Sequence, residues 1–92
     1  MGKYIRAALE ATGMDVVWQE VEPGRANAVG LWEGNGNGKS FMFNGHMDTS
    51  NTGREIYLTE LGYKPKAIVK NGMICGLGIY NMKGALVCSR RP

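Results

Sequence analysis

His46 and Asp48 stand two residues apart in the run Asn44-Gly45-His46-Met47-Asp48-Thr49. In extended chain residues at that spacing point to one face, so the imidazole and the carboxylate can work together at the C-terminal end of a strand, where ligands bind in open α/β sheets. The pair by itself is a weak signal. An exposed His beside an Asp is commonplace, and one His with one carboxylate cannot close a zinc site, which takes three or four protein ligands. Two glycine motifs carry less. Gly38-Lys39-Ser40 resembles the end of a phosphate loop, but Glu33 occupies the position of the first glycine and an apolar strand follows where a helix is required. Gly76-x-Gly78 has the first two glycines of a dinucleotide fingerprint, with Asn81 in place of the third. Cys75 and Cys88 form no Cys-x-x-Cys, which excludes a zinc ribbon, a redox motif and a disulfide scaffold.

The elements that must position His46 and Asp48 follow from periodicity and turn residues. Apolar residues at helical spacing predict a helix over residues 3–12, with Gly13 as its stop. Residues 15–21, rich in β-branched and aromatic side chains, form the first expected strand, ending at Glu22-Pro23-Gly24. Residues 27–33 form the second. The third, 40–44, is a continuous apolar run expected to lie centrally in a sheet covered on both faces, in a hairpin with the second through Gly34 to Gly38. Residues 48–66 show no clear period. Strands over 67–70 and 73–75 flank Asn71-Gly72, a two-residue hairpin signal, and a helix is expected over 81–88. The fold class is α/β: a mixed sheet flanked by an N-terminal and a C-terminal helix, in one domain.

Composition narrows the classes of function. The chain has 92 residues with 43% apolar and 21% charged side chains, and its fourteen glycines exceed the usual ~7%, a turn-rich globular balance and not a disordered one. The net charge of +3 comes entirely from Lys83, Arg90 and Arg91, so the body of the chain has no basic stripe and nucleic acid is not expected as a partner. Arg6 and Glu10 interrupt any signal-peptide core, and no run approaches the eighteen apolar residues of a membrane span. The expectation is a soluble protein of a reducing cytoplasm, with no membrane partner. Trp18 and Trp32 read as core or interface aromatics, the six methionines as gap fillers, and both cysteines as small hydrophobes.

The runs PGRANAVG, FMFNGHMDTS and NGMICGLGIYNMKGALV resemble the N-terminal signatures of the zinc-dependent deacylases and peptidases that include acetylornithine deacetylase, succinyl-diaminopimelate desuccinylase and aminoacylase. The resemblance runs from the first helix to Val87. It implies the N-terminal portion of a zinc-peptidase-like catalytic domain acting on the amide bond of N-acyl amino acids or short peptides, with zinc as cofactor. On this likeness His46 is a metal ligand, Asp48 is the catalytic-site carboxylate that orients a ligand His and tunes its basicity, and Asn81 takes the place of the carboxylate that bridges two metals. Lys83 and Gly84 begin the helix beneath the site.

Departures from the pattern are substantial. An amide at position 81 offers one neutral oxygen where a carboxylate offers charge and two oxygens, so a metal pair is held less well and one ion or none is expected. The sequence has no Glu-Glu pair and no second His, the groups that would activate water and complete the ligand set. The 92 residues correspond to about the opening quarter of such an enzyme, and Ser89-Arg90-Arg91-Pro92 fits a truncated frame. The chain is therefore expected to be silent alone. The alternative is a non-catalytic assembly or binding module on the same scaffold, and a free sheet edge favours a homo-oligomer.

Overall fold

The computed structural model describes residues 1–89; Arg90, Arg91 and Pro92 lie outside the described residues. Helices and small antiparallel sheets combine in an α/β fold, and the chain divides into two compact units, Met1–Phe43 and Asn44–Pro92.

In the first unit, helix α1 (Gly2–Glu10) is followed by strands β1 (Asp15–Glu22) and β2 (Arg25–Leu31), an antiparallel pair. The helix ends at Glu10, two residues before the expected end, and the chain turns away at once: Thr12 Oγ1 donates to the Leu9 carbonyl at 2.7 Å, and Gly13, at φ 82°, takes the left-handed conformation that side chains resist. Alternation along β1 and β2 turns Val16, Trp18, Ala26, Ala28 and Gly30 toward partial burial, and α1 contacts both strands. Small residues on β2 let the helix come close. A Cβ on Gly30 would lie 2.7 Å from Met14 Sδ, and one on Gly2 would lie 3.0 Å from the Trp18 ring. Arg6 adds its guanidinium 5.9 Å from the Trp18 centroid while bonding Glu10 at 2.8 Å. The opposite sheet face stays open, with Val17 directly across from Val29 and both exposed.

Two expectations for this unit are corrected. The partner of β2 is β1 and not residues 40–44: Glu22 pairs with Arg25, so Pro23-Gly24, with Gly24 at φ 78°, closes a two-residue loop. Proline presets the first central position of such a turn and glycine supplies the positive φ of the second, whereas five flexible residues from Gly34 to Gly38 must lose more entropy to close. Residues 40–44 form no strand. Phe41, Met42 and Phe43 are 82%, 79% and 74% exposed. A strand covered on both faces exists only when neighbours pair with it and layers pack over it, and no described strand lies beside this one.

In the second unit, a 3₁₀ turn (Leu61–Tyr63) precedes β3 (Ile68–Lys70) and β4 (Met73–Cys75). These strands pair antiparallel about Asn71-Gly72, whose φ values of 52° and 75° suit the primed turn that matches strand twist. The single mixed sheet expected from sequence is thus two separate hairpins. After β4 the chain makes a wide turn, Ile79–Lys83, before helix α2 (Gly84–Ser89). The helix expected over 81–88 therefore starts at Gly84. Asn81 (φ −122°, ψ 100°) and Met82 (φ −135°, ψ 31°) are not helical, because Lys83 N–H bonds the Gly78 carbonyl five residues back at 2.8 Å. The Asn81–Met82 peptide bond is cis.

Burial is sparse. Among the described residues Ala8 is the one apolar side chain that is buried. No described helix is long and apolar enough to cross a membrane.

Candidate functional site

The site lies within the second unit, where residues 44–49 meet the turn Ile79–Lys83 and the start of α2. Gly45 permits the approach: a Cβ there would stand 2.6 Å from Leu86 Cδ2 and 2.9 Å from Met82 Cε. The backbone N–H of His46 donates to Met82 Sδ at 3.3 Å, fixing the loop against the turn. Gly78, at φ 77°, does the same on the other side, where a Cβ would meet Lys83 Nζ and Thr49 Cγ2.

These contacts place the three residues singled out from sequence together. His46 Nδ1 is 2.9 Å from Asp48 Oδ1, and His46 Nε2 is 2.8 Å from Asn81 Oδ1. Asp48 is the more exposed of the first pair, at 84% against 47% for the imidazole. The spacing of two that turns His46 and Asp48 to one side operates here without a strand, and the extended backbone of Asn81 carries its amide to the far ring nitrogen.

Donor and acceptor roles follow from the partners. An ionised carboxylate only accepts, so Nδ1 carries a proton toward Asp48; an amide oxygen only accepts, so Nε2 carries one toward Asn81. Two acceptors facing the two ring nitrogens favour the imidazolium form. The Asn81 oxygen, and after it the hydrogen bond and charge of Asp48, raise the His46 pKa above its ordinary 6.5, with partial desolvation opposing them. Once the ring is neutral, with its proton held at Nδ1 by Asp48, the Asn81 amide must turn to present its NH₂ to Nε2.

The donor set does not fit a zinc ion. The loop and the turn offer one imidazole nitrogen and one neutral amide oxygen, engaged with each other, and Asp48 faces the wrong ring nitrogen to join them. No group of three His, Cys, Asp or Glu side chains comes together among the described residues. Three protein donors are the usual minimum for catalytic zinc, so no chemical step is derived through a metal. An open groove of about 570 Å³ runs from Cys75 past Ile79 to Ala85, and its lining includes none of His46, Asp48 and Asn81. Cys75 is half-buried and Cys88 exposed, both free thiols.

Sequence reasoning missed Met82 and Gly45 as supports of the site. A glycine directly before the histidine was the available signal for close approach.

The chain is similar to N-formyl-4-amino-5-aminomethyl-2-methylpyrimidine deformylase of Bacillus subtilis (strain 168), with 30% identity over 87 residues that cover 92% of this chain and 20% of that protein. The chain thus spans about a fifth of the length of that relative. The relation this supports is to a hydrolase. No family profile and no solved structure matches the chain.

Proposed function

We propose that this chain is the N-terminal part of a hydrolase that cleaves the amide bond of N-acyl amino compounds, and that it has no activity alone. The observation that carries the reading is His46 held between Asp48 and Asn81, because a carboxylate–imidazole pair aimed at a third polar group is an arrangement that hydrolytic sites use to fix a ring's tautomer and direction. Likeness to a protein named for removing a formyl group, along 92% of the chain, supports the substrate class. Acetylated and succinylated amino acids, the substrates implied by the sequence signatures, share the same amide chemistry.

The proposal of silence in isolation rests on the donors at hand. Asp48 orients His46, but no three His, Cys, Asp or Glu side chains come together among the described residues, so zinc would need donors beyond these.

A chimera tests the reading: residues 1–92 replace the matching fifth of the Bacillus deformylase, with Asn81→Asp to return the carboxylate. This chimera is expected to hydrolyse the formyl substrate, and its His46→Ala derivative is not. A folded Asn81→Asp chimera without turnover sinks the hydrolase reading, while hydrolysis of acetylornithine or the formyl compound by the isolated chain sinks the claim of silence.

A further inference from the structure

We infer that Met82 is an oxidation site, and that a peroxide converting its thioether to the sulfoxide releases the loop bearing His46 from the turn bearing Asn81. The inference is independent of the hydrolase reading, because contacts inside the second unit carry it alone. Met82 Sδ accepts the His46 N–H at 3.3 Å, and among the described residues it is the one methionine sulfur that accepts a hydrogen bond. Asn81, its neighbour in the chain, meets the same histidine at Nε2, 2.8 Å away. Two adjacent residues of the turn therefore grip one residue of the loop, one by its backbone and the other by its ring.

Space beside the thioether is already used. A Cβ on Gly45 would stand 2.9 Å from Met82 Cε and 2.6 Å from Leu86 Cδ2, so even a glycine leaves little room next to the methyl group. Met82 is half-buried, with part of its side chain in contact with water. One sulfur lone pair is directed at the His46 N–H, which leaves the other for an oxidant. That lone pair attacks one oxygen of hydrogen peroxide; the S–O bond forms as the O–O bond breaks, and the departing oxygen leaves as water once a proton has moved to it. Sulfur gives up two electrons and the peroxide takes them. The sulfoxide sulfur carries partial positive charge and repels the N–H that the thioether accepted, while its polar oxygen is a poor neighbour for Leu86. Both effects push the loop off the turn. Methionine sulfoxide reductases regenerate the thioether, so the change is reversible.

Hydrogen peroxide, applied to the full chain in a Cys75→Ser, Cys88→Ser background with methyl-labelled methionine, tests the inference. Methyl NMR follows each sulfoxide separately, and amide exchange reads the His46 N–H. Met73, 62% exposed, is expected to react first and to leave His46 unchanged. Once Met82 is oxidised, exchange at His46 is expected to quicken about fivefold or more, the factor for losing one net hydrogen bond, and the reductases are expected to restore it. Met82→Leu keeps the volume without the acceptor, so its His46 amide is expected to exchange fast before peroxide and no faster after it. Four results overturn the inference: unchanged exchange at His46 when Met82 is sulfoxide, a Met82 still wholly reduced at a dose that converts all of Met73, equal acceleration in Met82→Leu, or exchange that the reductases leave fast.

Discussion

His46 and Asn81, thirty-five residues apart in the chain, meet through Nε2 and Oδ1 at 2.8 Å. An amide oxygen therefore occupies the direction in which Nε2 would present its lone pair once it has lost its proton. Asn81→Asp changes the charge at that point while leaving size and backbone alone. The expected outcome is zinc binding tightened about tenfold or more relative to the unsubstituted chain, since a carboxylate adds charge and a second donor oxygen. Competition against a chromogenic chelator, in a Cys75→Ser, Cys88→Ser background, measures it. An unchanged affinity contradicts the placement of position 81 beside the ring.

Gly84 tests the turn that delivers Asn81. Its N–H bonds the Ile79 carbonyl, and a Cβ on Gly84 would lie 2.7 Å from that same oxygen. Alanine normally improves a helix by up to about 1 kcal/mol over glycine. Here the obstacle is backbone and cannot swing aside, so Gly84→Ala is expected to cost about 1–3 kcal/mol. At Gly30 the atom in the way is the flexible Met14 Sδ, and Gly30→Ala is expected to stay within about 1 kcal/mol of neutral. Urea titrations of both variants decide; a larger loss at Gly30 than at Gly84 refutes the geometry.

Glu55 gives a pH signature. Its carboxylate accepts from Thr52 N–H at 2.8 Å, Thr52 Oγ1 at 2.9 Å and Gly53 N–H at 2.8 Å. These bonds, the Thr52 amide first, lower its pKa from 4.5 to about 2. A depressed folded pKa means that ordering of this turn is fully present above pH 4.5 and is lost as pH falls through about 2. Carboxyl-carbon NMR should show a midpoint near that lower value, and Glu55→Gln should remove the pH dependence of amide exchange at Thr52 and Gly53. A midpoint at the ordinary value rules the turn out.

Docking of α1 is readable in fluorescence. Trp18 is half-buried under the helix with Arg6 over its ring, while Trp32 is 65% exposed. The Trp32→Phe chain, reporting Trp18, is expected to emit at shorter wavelength than the Trp18→Phe chain. Identical spectra would place the helix away from the sheet.

What the sequence revealed and what it concealed divide along one physical line. Local signals were readable: Gly13 stopping α1, Asn71-Gly72 turning β3 into β4, and the spacing of two that sets His46 beside Asp48. Non-local pairing was not. The run 40–44 is composed like a buried strand, yet burial is supplied by neighbours, and the periodicity of a segment carries no information about whether they are present. The start of α2 was misread for a related reason. Met82 and Lys83 favour helix, but the hydrogen bond from Lys83 back to Gly78 draws the chain into a wider loop and releases Asn81 to reach His46. That contact was foreseen only through resemblance to enzymes whose fold brings the two signatures together.

With Ala8 the one buried apolar side chain among the described residues, folding withdraws little apolar surface from water. The heat capacity of melting tracks that withdrawn surface, so it should fall below the usual value of about 12–15 cal/mol/K per residue. Stability would then vary gently with temperature, and a calorimeter would record a broad, low endotherm in place of a sharp one.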